Sequence, residues 1–437
     1  MIEPASAAAY LAGEAESLMT RLEAVRAFAV TIPMVPAARV SGRGLRGIER
    51  HLGIGRRILR DRVNGYIRWI RGAGCVAPVE EQQRRLTFLR LQFNSTLLQL
   101  DIFADALTQR SEHEHGIWLA GLDAVAEDAL LLREPFFTPP PVITYLERGQ
   151  GAAIRRARTR LPGGGENPVA LIRVPRERLV GGEGIGASLI HEVGHQAAAL
   201  LGLNRSLRLQ LQGHERHSGR TRPAWSLWRR WVGEIVADFW AMAHLGAAAT
   251  VGLMGVVSLP RPFVFRMEEE DPHPFPWIRV KLSCVLGRLL FPDPQWDRLE
   301  AFWESAYPRD GLTPRQHDVI GLLEETAPEL GRLIVRHRPR SLRGRRLAEV
   351  LPVLDRAIPR LRRLFALWRE RPAGMCTGRP SQVLAVLGQA RLDGRLSAEE
   401  EASIVTRLLG RWATQRVVPE AGAPLECHRP ITRRAAA

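Results

Sequence analysis

Helical periodicity dominates the first third of the chain. Between Glu80 and Gln109, Leu86, Leu89, Phe93, Leu97, Leu100, Phe103 and Leu107 return at three- or four-residue steps, which gathers them on one stripe of an α-helix. Residues 1–135 as a whole predict a helical region. Pro139-Pro140-Pro141 ends it, because a proline run cannot continue a helix. Beyond it, Val142 to Tyr145 and Val169 to Val174 predict short strands. From Ala187 to Leu201 the helical period returns, with Leu189, Ile190, Val193, Ala197, Leu200 and Leu201 as its apolar positions. The polar, arginine-rich stretch from Asn204 to Arg222 predicts a connection. Pro223 fits the first turn of a further helix, whose stripe is Trp228, Trp231, Val232, Ile235, Phe239 and Met242. After Val280 the pattern is again mostly helical.

One stretch tests whether the chain crosses a membrane. Phe239 to Leu259 is almost wholly apolar and long enough to span a bilayer. It is rich in Gly and Ala and stops at Pro260, so it is expected to be a buried helix and turn, without membrane association. Composition changes the picture little. The 437 residues are 45% hydrophobic and 25% charged, an ordinary globular balance with room for two or three domains. A net charge of +16 raises the question of nucleic acid. Yet Lys281 is the one lysine, the arginines are spread along the whole chain, and no RNA-binding aromatic motif or Cys/His finger accompanies them. No specific nucleic-acid partner is expected. Cys75, Cys284, Cys376 and Cys427 form no C-x-x-C pair, so neither a thiolate zinc site nor a disulfide framework is expected. The acidic N-terminus lacks the basic and apolar regions of a secretory signal, and a cytoplasmic address follows as the default.

The chemistry concentrates in His191-Glu192-Val193-Gly194-His195, an H-E-x-x-H pattern inside the Ala187–Leu201 helix. Positions four apart share one helical face, so both imidazoles can reach one ion while Glu192 stands beside them. That suits Zn²⁺ with an open position, where a carboxylate can take a proton from water. Glu234 and Asp238 fall off the apolar stripe of the tryptophan-rich helix, one turn apart. Glu234 can complete a His₂Glu ligand set, and Asp238 can accept the other N–H of a ligand histidine. Two further clusters look metal-like at the wrong spacing. These are His113-Glu114-His115, and His214 with His217 around Glu215; both are expected to be solvated loops. Asp393-Gly394 hints at a calcium loop, but Ser397 with Glu400 makes a helix capping box instead.

H-E-x-x-H followed by E-x-x-A-D (Glu234 to Asp238) resembles the gluzincin metallopeptidases. The closer resemblance is to their CAAX-prenyl-protease-1 and heat-shock HtpX group, which also tends to carry H-P-x-x-x-x-R, here His273-Pro274 through Arg279. The match covers about Val169 to Leu290. It implies His191, His195 and Glu234 as zinc ligands, Glu192 as general base and Asp238 as the residue orienting a ligand. It adds His273 as an oxyanion donor and Arg279 as a support. That group is usually embedded in the membrane, so prenyl-peptide cleavage is not carried over.

The expected fold is α+β and predominantly helical, a zincin-like core with a small antiparallel sheet and two motif-bearing helices. Residues 136–310 would form that metallopeptidase domain, between a helical N-terminal region (1–135) and a helical C-terminal region (311–416). A disordered tail (417–437) would follow. The strand before the H-E-x-x-H helix is expected to receive a peptide by backbone hydrogen bonds. The expected activity is zinc-dependent hydrolysis of a protein or peptide substrate. The competing readings are a helical interaction or regulatory protein that retains only the zinc-binding core, and an arginine-rich scaffold on nucleic acid.

Overall fold

The computed structural model describes residues 3–149, 151–176, 182–268 and 270–418. The expected C-terminal tail lies almost wholly outside them, and so does Gly181 of the glycine-rich entry to the H-E-x-x-H helix. Two compact units are present, and helix dominates both. The first comprises Met1–Leu119, Pro140–Tyr145 and Arg155–Leu171, and the second takes the remaining residues.

In the first unit, α1 (Pro4–Ala24), α2 (Gly42–Arg71) and α3 (Val79–Thr108) pack against one another. Leu11, Leu18, Leu59, Val63, Leu86 and Phe93 lie at their common core. The predicted stripe is that buried face. Leu86, Leu89, Phe93, Phe103 and Leu107 are each less than a tenth exposed, and burying such a side chain contributes about 1.5–3 kcal/mol. The next helix, α4 (His113–Leu130), starts where a loop was expected, so Glu114 and His115 lie in a helical first turn and face solvent.

Three strands form one sheet: β1 (Val142–Glu147), β2 (Ala153–Arg155) and β3 (Ala170–Pro175), in the order β1-β3-β2. The sheet is mixed, where an antiparallel one was expected. β2 and β3 are arms of one hairpin, bridged antiparallel between Arg160 and Glu166, so the parallel pairing falls between β3 and β1. The strand nearest the H-E-x-x-H helix is therefore the central one. β1 flanks it on one side and the three-residue β2 on the other.

The second unit is built around one tryptophan-rich helix. After α5 (Gly182–Leu201) and α6 (Leu203–His217) comes α7 (Arg222–Leu245), followed by α8 (Ala247–Val257). Then come α9 (Pro276–Leu290), α10 (Gln295–Ala306), α11 (Pro314–Arg336), α12 (Ile358–Glu370), α13 (Pro380–Leu392) and α14 (Ala398–Gln415). α7 packs against α5, α6, α9, α11 and α13. Two of its buried indoles pair their N–H groups, as buried tryptophans usually do: Trp228 donates to Thr326 Oγ1 at 2.8 Å and Trp240 to the Ala129 carbonyl at 3.0 Å. The expected connection from Asn204 is mostly the helix α6, held down by Leu203, Leu207 and Leu211.

The apolar run from Phe239 breaks at Gly246, whose φ of 60° separates α7 from α8. No helix among the described residues is long and apolar enough to cross a membrane. Ser397 and Glu400 form the expected capping box at the start of α14. Among the described residues, Cys75 and Cys284 carry free thiols.

Candidate metal centre

Two helices bring the candidate residues together, and a glycine sets how closely. A Cβ on Gly194 would lie 2.8 Å from Ala237 Cα and 2.9 Å from Trp240 Cβ, closer than any side-chain carbon tolerates. The fourth position of H-E-x-x-H, Gly194, is thus pressed onto the backbone of E-x-x-A-D. This contact carries the α7 acids to the α5 histidines.

His191 Nε2 and His195 Nε2 lie 3.1 Å apart, and their rings stand at 90°. Glu234 reaches both, with Oε2 at 3.3 Å from His191 Nε2 and Oε1 at 3.4 Å from His195 Nε2. A tetrahedral zinc with arms of about 2.0–2.1 Å sets its ligand atoms about 3.3 Å apart, so these three donors fit one ion. Glu192 also offers an oxygen within 4.8 Å of the histidine nitrogens. Glu234 is the closer carboxylate and the better ligand, which leaves Glu192, almost fully buried, beside the shared point.

Behind these donors, a polar chain fixes their orientation. His191 Nδ1 donates to Asp238 Oδ1 at 2.8 Å, which selects the tautomer whose Nε2 lone pair faces Glu234 and His195. Arg279, one turn into α9, grips Asp238 with two hydrogen bonds: Nε to Oδ2 at 2.7 Å and Nη2 to Oδ1 at 2.8 Å. It also stands 3.6 Å from Glu234 Oε2. A fork of this kind is the strong form of the Arg–carboxylate pair. Pro276 in the first turn of α9 and the buried Phe275 before it anchor this helix start.

The electrostatics follow from this packing. Burial works against charge on His191, Glu234, Asp238 and Arg279. Yet the imidazoles of His191 and His195 hold the Glu234 carboxyl far below its ordinary range, and Arg279 with His191 does the same for Asp238. Burial also pushes His191 down, but the Asp238 carboxylate and hydrogen bonds to Asp238 and Glu234 outweigh it and raise the ring to about 9. With no ion present, a proton on His191 and the Arg279 guanidinium balance the Glu234 and Asp238 carboxylates.

His273 arrives from the proline-rich segment before α9. Asp271 Oδ1 accepts from both the backbone N–H of His273 (2.9 Å) and its Nδ1 (2.8 Å), and the Asp271 carbonyl is tied to Trp231 Nε1 at 3.2 Å. So held, the half-exposed ring points Nε2 at Glu234 Oε2, 3.4 Å away.

Comparison with family models, with curated proteins and with solved structures gives no match.

The site is thus known by its geometry alone. His191, Glu192, His195, Glu234, Asp238, His273 and Arg279 all gather within it. Sequence reasoning passed over Asp271 and Gly194. The first was signalled by an acid two residues before His273, the second by a glycine inside a helix, where it costs stability unless packing requires it. His214 and His217 lie elsewhere on α6, and His115 faces solvent on α4.

Proposed function

We propose that the chain is a zinc-dependent metallopeptidase of the gluzincin type, with a zincin-like core. One observation carries the proposal. His191, His195 and Glu234 present three donors 3.1–3.4 Å apart, with a fourth, uncommitted carboxylate beside them in Glu192. A purely structural zinc site is closed by four protein ligands and has no use for a buried base at its open side. The order H-E-x-x-H, E-x-x-A-D, H-P-x-x-x-x-R supports the same reading.

A bound zinc would supply Lewis-acid polarisation of a carbonyl and a water acidic enough to lose a proton near neutral pH. The protein does the rest. Glu192 takes that proton on a carboxylate oxygen and passes it to the departing amine nitrogen as the C–N bond breaks. His273 is held through Nδ1 by Asp271, which leaves its Nε2 facing the side of the site where an oxyanion would form. Arg279 and Asp238 hold His191, the first ligand, in one tautomer and one orientation, so that little rearrangement accompanies the reaction.

Glu192→Gln tests this directly. The amide keeps size and hydrogen bonding but cannot accept the proton. Zinc content should be unchanged, and hydrolysis of a mixed peptide library should fall by about 10²–10⁴-fold. Equal cleavage by the two proteins would remove Glu192 from the role of base.

A further inference from the structure

The first unit carries a basic face that its own packing does not use. α2 buries Ile48, Leu52, Leu59, Val63, Tyr66 and Ile70. The helical period puts Arg43, Arg46, Arg50, Arg57, Asn64 and Arg68 on the opposite side, and all six are exposed. Arginine is spread along the chain, but it is denser here: nine of the thirty residues of α2, against 62 basic residues in 437. The two acids of the helix offset little of this. Glu49 Oε1 is taken by the backbone N–H of Phe28 at 2.6 Å, which leaves Asp61 on the outward strip. Elsewhere in the unit Arg71, Arg85 and Arg90 pair with glutamates. Arg46, Arg50, Arg57 and Arg68 pair with no acid among the described residues.

Apolar side chains stand among these cations. Ile54 and Ile58 lie on the outward side of α2 between Arg50 and Asp61. α3 packs alongside, tied to α2 by His51 and Gln99 at 2.9 Å. It turns Phe88, Leu91 and Leu98 outward on one helical strip. All five are at least four-tenths exposed. Exposed apolar residues are ordinary when scattered singly, but grouped on one face they mark a docking surface. From Arg43 to Arg68 the strip runs about 38 Å, at 1.5 Å per residue.

The combination selects the partner. A second copy of the chain would bring like charge against like charge. Nucleic acid would answer the arginines, but its phosphates and stacked bases have no use for a row of aliphatic side chains. An anionic lipid surface answers both. Guanidinium forks match phosphate oxygens, and Ile, Leu and Phe enter the boundary between headgroups and acyl chains. We propose that the outward face of α2 and α3 docks on an anionic phospholipid surface, lying on it without spanning it. Residues 43–98 precede the Val169–Leu290 stretch that resembles the peptidases, and this docking is independent of the metal centre.

Flotation of the full chain with vesicles tests it. One set is phosphatidylcholine alone, and the other is an equal mixture with phosphatidylglycerol. The wild type should bind the mixed vesicles on the order of a hundredfold more tightly than the neutral ones. Arg50→Glu/Arg57→Glu should lose roughly tenfold or more on the mixed vesicles. Arg363→Glu/Arg369→Glu makes the same change of net charge at two exposed arginines of α12 and should stay within about twofold of the wild type. Ile54→Ser/Ile58→Ser should also lose on the order of tenfold, because the apolar contribution is gone. All six substituted side chains are exposed or nearly so, and the arginine and isoleucine pairs test the face independently. Equal binding to the two vesicle types, or equal loss from the two arginine pairs, would overturn the proposal. An isoleucine pair that binds like the wild type would also overturn it, and tight binding of poly(U) RNA by that variant would make the face a nucleic-acid surface instead.

Discussion

Two histidine pairs stand on consecutive helices, and only one of them gathers donors. On α5, His191 and His195 are four residues apart, their Nε2 atoms meet at 3.1 Å, and Glu234 closes on both. On α6, His214 and His217 are three apart. His214 lies flat on Trp225, with ring centres 5.0 Å apart, and its Nδ1 is 3.6 Å from Glu329. His217 turns back to the Gly213 carbonyl at 2.8 Å. An open surface cleft of about 500 Å³ surrounds this second pair, so space is not what it lacks. The difference is in the opposing element. α7 brings two acids, each less than a sixth exposed, against the first pair at a contact only glycine permits, whereas the second pair meets one half-exposed glutamate. Four-residue spacing aims the rings, and the facing acids make the aim useful.

The comparison can be broken by removing supports from each region. Arg279→Met should have the largest effect. It leaves Asp238 buried without its cation, a loss of about 3–5 kcal/mol, read as a lower denaturation midpoint in chelator-treated protein. A change below 1 kcal/mol would show that the fork is not what stabilises the acid.

Asp238→Ala should weaken metal affinity by roughly 10–100-fold in a competition titration with a chelator. Affinity equal to wild type would mean that His191 needs no orienting group. Gly194→Ala forces α5 from α7 and should cost about 1–3 kcal/mol by overpacking. A variant as stable as wild type would refute the close contact. The smallest effect belongs to the second region. Arg220→Met removes an ion pair with Glu325 whose side chains are 74% and 48% exposed, and it should change stability by less than about 1 kcal/mol. A larger loss would mean that this surface is more tightly knit than its exposure implies.

The motif helices were legible because their residues obey the helical period and their acids share one face, off the apolar stripe, in an otherwise apolar helix. Glu234 and Asp238 stand out on α7 for that reason. α6 was not legible. Its arginines read as a solvated connection, and Leu203, Leu207 and Leu211, one per turn, are a thinner stripe than a pattern search weighs. Parallel pairing of β1 with β3 depends on which edge a strand meets in space, and no alternation of apolar residues encodes that. His273 was named by its place in a motif. Its orientation rests on Asp271, whose role appears only once the proline-rich segment is folded.

The central claim is that His191, His195 and Glu234 hold one metal ion. Metal analysis of protein purified without added zinc tests it most directly. About one zinc per chain is predicted for the wild type and for a His214→Ala/His217→Ala double variant, and next to none for His191→Ala or His195→Ala. Equal metal in all four proteins, or none in any of them, would contradict it.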